Sequence, residues 1–401
     1  MKAFTSVLAA LAAMVVAAAG LELWTRAHWN DRKGVPGFFL SDPVRRQRLA
    51  PGYTGWFAGV PVKINRLGFR DNREYSLEKS PSTFRILVLG DSVTFGHGSV
   101  YEYTYPVLLE QKLKAWRADL DWQVWNAAVP GYNTSQELAE LVDVGPRVKP
   151  DLVIVGFFEN DFVDNFPVEP PGAWARARSA VLSTLYRHVY SIELYKRLYL
   201  QVAWRWSRKT SYRQRLEHLA EEEQLTATAS DISHRQSQRL TPYDWLSDEQ
   251  LASMACPDQP PANPDLVPSI QREPGWTDWV RAVRQFQELH RDGTYRVVFF
   301  ANVVPFACRT ADMFVDGGSA ALNRFYMSYL GAATPAVSVY DAFRHVRPSQ
   351  MPAADGHALG NANGVKADVL FDYLRADVLP SLIPRPSRPQ RPRTPTSAAQ
   401  R

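Results

Sequence analysis

At 401 residues the chain has room for one large domain or two small ones. It is 45% hydrophobic and 22% charged, which excludes wholesale disorder. The formal net charge of +5 is no argument for nucleic acid. Arg385, Arg388, Arg391, Arg393 and Arg401, in an acid-free tail after Pro384, account for all of it.

Residues 1–26 read as a signal peptide or an N-terminal membrane anchor. Lys2 precedes an apolar stretch from Ala3 to Leu21 that is long enough to cross a bilayer. Ala17-Ala18-Ala19 before Gly20 has the small residues of a cleavage site. The run is longer than a usual signal core, and Trp24 suits an interface, which favours an anchor. Arg26, Arg32 and Lys33 follow it, and by charge alone they would sit in the cytoplasm. Either reading targets the membrane and points to an extracytoplasmic protein, secreted or anchored.

Residues 27–83 form an irregular preface: Pro36-Gly37, Pro51-Gly52 and Asn65 to Gly68 are turn signals, with a short edge strand at Val60 to Ile64. A buried parallel strand is expected at Phe84 to Leu89, ending on Gly90. Further strands are expected at Gln123–Ala127, Asp151–Phe157, Tyr295–Val303 and Ala336–Tyr340, with helices at Tyr105–Ala118 and Ser135–Val144 between them. The alternation predicts an α/β three-layer sandwich around a central parallel sheet of about five strands.

A long helical insertion, at about 166–285, separates the third and fourth strands. In it Leu182, Leu185, Val189, Ile192, Tyr195, Tyr199, Val202 and Trp206 follow one helical face. Residues 172–215 hold ten Arg or Lys and one acid, Glu193. Such a helix suits a membrane surface, while the plainer reading is a lid packed on the catalytic domain. Cys256 to Pro268 reads as loop, and residues 384–401 as a disordered Pro/Arg tail. Cys256 and Cys308 leave one disulfide or two free thiols open, and they cannot make a zinc site. No cofactor or metal is expected.

Ligands of open parallel sheets bind at the carboxyl ends of the strands. The first strand runs into Gly90-Asp91-Ser92-Val93-Thr94, which places a serine at a helix start. The second leads to Pro130-Gly131-Tyr132-Asn133, the third to Glu159-Asn160-Asp161. Asp355-Gly356-His357 precedes a last helix expected from about Val365 to Leu379. Base and nucleophile chemistry on an ester needs such a serine, a histidine and a carboxylate.

In this order the four segments resemble the blocks of the SGNH hydrolase, or GDSL-type esterase, family, over about 84–161 and 295–380. Ile64-Asn65-Arg66-Leu67-Gly68-Phe69-Arg70-Asp71 resembles the preface of bacterial membrane-anchored members. The resemblance implies a flavodoxin-like hydrolase domain over 84–383. It also implies a Ser92–His357–Asp355 triad, and an oxyanion hole from the Ser92 and Gly131 N–H groups and the Asn160 amide. His97, five residues from Ser92, is the rival base, and it is expected to line the entrance instead. The single residue between Asp355 and His357 departs from the commoner spacing of two, and it also occurs in a branch that acetylates exopolysaccharides. The expected function is an esterase removing acyl groups, acetyl first, from an envelope glycan or similar substrate through an acyl-enzyme. An O-acyltransferase, a catalytically silent glycan-binding protein and a lipase at the bilayer are the alternatives.

Overall fold

The computed structural model describes residues 2–31, 36–163, 165–206, 228–237, 266–303, 307–309, 314–316, 319–343, 357 and 361–383. Lys2–His28 is one unbroken helix, α1. Its stretch Phe4–His28 has a mean hydropathy of 2.2, with none of its most apolar stretch buried. It is long and apolar enough to cross a bilayer, a test that a secretory signal also meets.

Two antiparallel hairpins follow: β1 (Phe39–Asp42) with β2 (Arg46–Leu49), and β3 (Thr54–Phe57) with β4 (Val60–Lys63). The turn-rich preface is thus more ordered than its composition suggests. Ala58 and Gly59, at φ 51° and 75°, make the left-handed two-residue turn that closes the second hairpin.

The core then alternates. β5 (Thr83–Gly90) leads to α2 (Ser92–Phe95) and α3 (Tyr105–Trp116), then β6 (Asp121–Asn126) and α4 (Thr134–Val148). β7 (Leu152–Phe157) leads to α5 (Asn160–Val163), α6 (Ala173–His188) and α7 (Tyr190–Trp206). After the insertion come β8 (Val297–Ala301), a small antiparallel pair of β9 (Ala307–Arg309) and β10 (Phe314–Asp316), and β11 (Ala336–Ser338). The last helix runs Asn361–Tyr373, starting earlier than expected and passing into a widened turn at Leu374–Val378.

Strands β11-β8-β7-β5-β6 form one five-stranded sheet, in that order and all parallel. Counted along the chain this is order 2-1-3-4-5, the flavodoxin-like arrangement, whose reversal point lies between β5 and β7. The pleat of β5 feeds both layers. Leu87 and Leu89 join α4 and the helices Trp276–Arg291 and Ser319–Leu330, while Ile86 and Val88 join α3 and the last helix.

The insertion departs from the expected single helix. α6 ends at His188 and α7 starts at Tyr190, with Val189 between them at φ −109° and ψ 108°. Periodicity of apolar residues continues across this break and gives no sign of it. α6 packs on the first hairpin, where Ser179 Oγ and Ser41 Oγ lie 3.0 Å apart and Ser183 Oγ donates to Ser41 O at 3.0 Å. Tyr195, Leu198, Tyr199 and Val202 of α7 are exposed, while Leu182, Val189 and Ile192 of the expected stripe are half-buried. The expected loop at Cys256–Pro268 ends in a helix at Leu266–Gln271. Residues 207–227 and 238–265, with Cys256, and the tail 384–401 lie outside the described residues.

Candidate active site

The carboxyl ends of β5 and β7 meet across one buried side chain. Tyr105 OH donates to Thr94 Oγ1 at 3.0 Å, which fixes Thr94 between the strand ends. A Cβ on Gly90 or Gly156 would lie 2.2 or 2.1 Å from that oxygen. Glycine is therefore the residue that lets Thr94 in, and at Gly90 the φ of 154° adds a second reason. Asp91 caps the turn, its Oδ1 accepting the Val93 N–H at 2.8 Å, and Gly96 at φ 87° closes it after one turn. Ser92 opens that turn, half-buried.

His357 reaches Ser92 from 265 positions away, and its Nε2 lies 2.8 Å from Ser92 Oγ. His97 does not simply line an entrance. Its ring stacks on His357, with centroids 4.3 Å apart and planes at 11°, and packs edge-on to Phe57. Asn160 starts α5 directly after β7, and its amide stands beside Asp91, where it favours the ionised carboxylate. Gly131, at φ 81°, is itself exposed, in an otherwise buried turn after β6. That turn is held on both sides: Val129 N–H donates to Gly90 O at 3.0 Å, Gln47 Nε2 to Pro130 O at 2.7 Å, and Tyr132 OH to Gln47 O at 2.8 Å. Asp355 lies outside the described residues.

Three features of the site go beyond the roles that the motifs imply for their residues. The first is Arg70. Its guanidinium is 1% exposed, donates to Phe95 O and Gly96 O at 2.7 Å each and to Ser99 O, and lies 4.5 Å from the Phe95 ring centre. It ties the preface to the loop that carries His97. Burial pulls its pKa down to about 9, opposed by the charges of Glu102 and Tyr101.

A buried carboxylate group is the second. Asp91, Glu137 and Asp161 are each 1% exposed or less. Burial pushes Asp91 upward, against the Val93 N–H, His357, the Asn160 amide and Lys366. Burial and then the Asp91 charge push Glu137 well above its ordinary value. Asp161 rises for the same reason, burial first and then Glu137 and Asp91. Third is the last helix, which brings Asn363 to Ser99 Oγ at 2.9 Å and buries Lys366. Among the described residues no group of three His, Cys, Asp or Glu side chains is placed to hold a metal ion.

The model of the GDSL-like lipase/acylhydrolase family matches residues 88–361, a stretch that starts in β5 and ends at the last helix. The chain belongs to this family. An arylesterase of Vibrio mimicus is 33% identical over 88 residues, which are 22% of this chain and 43% of the arylesterase. The chain thus spans less than half the length of that relative. Among solved structures, a catalytic mutant of an acetylxylan esterase from Geobacillus stearothermophilus is 12% identical, with 73% of this chain and 94% of that chain covered at a TM-score of 0.37. A lipase from a goat-rumen metagenome is likewise 12% identical, covering 72% and 97% at a TM-score of 0.36. The sheet order given above, rather than these low scores, carries the fold.

Proposed function

We propose that the chain is a serine esterase that removes acyl groups, acetyl first, from an envelope glycan, through an acyl-enzyme on Ser92. The observation that carries this reading is the 2.8 Å approach of His357 Nε2 to Ser92 Oγ at the carboxyl end of the central strand. At that distance the hydroxyl proton can pass to the imidazole as Oγ attacks the ester carbonyl. The tetrahedral oxyanion takes hydrogen bonds from the Ser92 and Gly131 N–H groups and the Asn160 amide. His357 then gives its proton to the departing alcohol, and water repeats the sequence on the acyl-enzyme. Asp355, two positions before His357, is proposed as the carboxylate of the triad on the motif alone. The His97 stack limits rotation of the His357 ring. Helix α1 is proposed as an anchor that leaves the site outside the cytoplasm, beside envelope glycans.

A fluorophosphonate probe applied to the full chain tests this. The parent should label at Ser92, Ser92→Ala should not label, and His357→Ala should slow labelling on the order of 10⁴–10⁶-fold. A folded parent that does not label would overturn the reading. Esters of increasing acyl length then test the acetyl assignment, which preference for long chains would sink. The one-residue spacer before His357 favours acyl transfer as the second reading: product partitioning toward an added polysaccharide, at the expense of free acetate, would establish it.

A further inference from the structure

We infer that α7 lies in the membrane–water interface beside the end of α1, with its apolar stripe among the lipids. This rests on α1 crossing the bilayer as proposed above. Tyr195, Leu198, Tyr199 and Val202 fall at helical steps of three, one and three, on a single face of α7. All four are more than half exposed, at 69%, 51%, 62% and 54%. A single exposed apolar residue needs no explanation, but a contiguous stripe does.

What lies next to the stripe is the apolar helix α1. Glu22 of α1 accepts the Tyr190 N–H through Oε1 at 3.0 Å and the Ser191 N–H through Oε2 at 2.9 Å, so it caps α7 from another helix. Arg26, paired with Glu22 at 2.7 Å, donates to His188 O and lies 5.0 Å from the Tyr190 ring centre. Trp29 packs edge-on to the same ring. These contacts pin the start of α7 to α1 between Glu22 and Trp29, where the apolar run ends. Farther up α1, Phe4, Val15 and Val16 remain 68–72% exposed, so α7 does not run back along the span. A helix pinned to the end of a bilayer-crossing helix, not folded back along it, and carrying an exposed apolar stripe has its place for that stripe at headgroup depth.

The chemistry of α7 suits that depth. Tyrosine rings are favoured at the boundary between acyl chains and headgroups. The surrounding sequence, with ten cations and one acid over 172–215, complements an anionic leaflet. The seat is also linked to the site. α6 continues from α7 to Ser41 of the first hairpin, and Gln47 of the same hairpin grips Pro130 and Tyr132 on either side of Gly131. The membrane contact and the proposed oxyanion turn thus share one chain of hydrogen bonds, which would hold the site at a fixed height above the lipid.

The test uses the full chain, with Cys256→Ser and Cys308→Ser, in vesicles of phosphatidylcholine and phosphatidylglycerol. An environment-sensitive fluorophore is placed in turn at Tyr199→Cys on α7, at Val15→Cys in the span and at Asp372→Cys on the core. Spin-labelled lipids should quench the first two, with a shallow spin label most effective at position 199, and leave 372 unchanged. Quenching at 15 but not at 199 would overturn the inference while leaving the anchor standing. Quenching at neither would show that the anchor reading itself had failed, and the inference with it. Adding Glu22→Ala should abolish quenching at 199 and preserve it at 15; retention at 199 would refute the pin. Fluorophosphonate labelling of each variant reports that the core stays folded.

Discussion

Replacing Arg70 with methionine tests the tie between the preface and the nucleophile loop. Methionine keeps much of the stem volume but removes every donor. The carbonyls of Phe95, Gly96 and Ser99 then lose the guanidinium they accept from, in a place 1% exposed. Each such loss costs about 1–3 kcal/mol. Part of this is offset, because a cation buried without a carboxylate in hydrogen-bond contact itself costs several kcal/mol. A net destabilisation of about 2–5 kcal/mol is expected, a large share of the roughly 5–15 kcal/mol of a typical domain. Urea unfolding should show a lower midpoint with an unchanged slope. The loop also carries His97, so fluorophosphonate labelling of the folded fraction should slow. The sign of the pH dependence adds a check. The folded pKa of Arg70, about 9, lies below its ordinary value, so the unfolded chain holds the proton over the window above pH 9. The parent therefore gains stability as pH rises through about 9, a gain that Arg70→Met lacks. A variant with the parent's midpoint, labelling rate and pH profile would refute the tie.

Three further outcomes are expected. Asn160→Ala should lower kcat/KM on a short-chain ester by about 10²–10³, with a small drop in the unfolding midpoint from the lost contact to Asp91; an unaltered rate would remove Asn160 from the oxyanion site. Gly156→Ala places a Cβ 2.1 Å from Thr94 Oγ1, so it should destabilise strongly, and Thr94→Ala should recover much of that loss. Strictly additive losses in the double variant would mean the clash is not the cause. Glu137 has a folded pKa well above its ordinary value, so the folded state holds a proton that the unfolded state has lost, and stability falls as pH rises through that window. Glu137→Gln should flatten this fall in thermal unfolding between pH 5 and 9, and parallel curves for the two proteins would contradict it.

What could be read from the sequence was periodic or carried by a motif. β5 is buried along its whole length, and its run of aliphatic residues said so. The strand order was not legible in any single strand. It came with the family resemblance, as did the pairing of Ser92 with a histidine 265 positions away. Asp355 remains a reading of the motif alone.

The features that escaped are polar contacts over long separations. Nothing local marks Arg70 as buried; it sits in a turn-rich stretch beside two other arginines, Arg66 and Arg73, and its carbonyl partners lie 25–29 residues on. Glu137 stands in the first turn of α4, where a carboxylate is ordinarily a solvated partner of the helix start, yet it faces Asp91 and Asp161. The break at Val189 is the clearest case. The apolar steps run on across it, because they record only which face of a helix would be apolar. The cap that starts α7 comes from Glu22, 168 residues earlier. An apolar stripe needs any apolar neighbour, so its own spacing announces it. A buried carboxylate or guanidinium needs particular partners, and these become visible only when the fold has brought them together. The same distinction explains the site: its proposed nucleophile is a short motif, while the groups that hold the surrounding loops and His357, namely Arg70, Gln47 and His97, depend on contacts that only the fold makes.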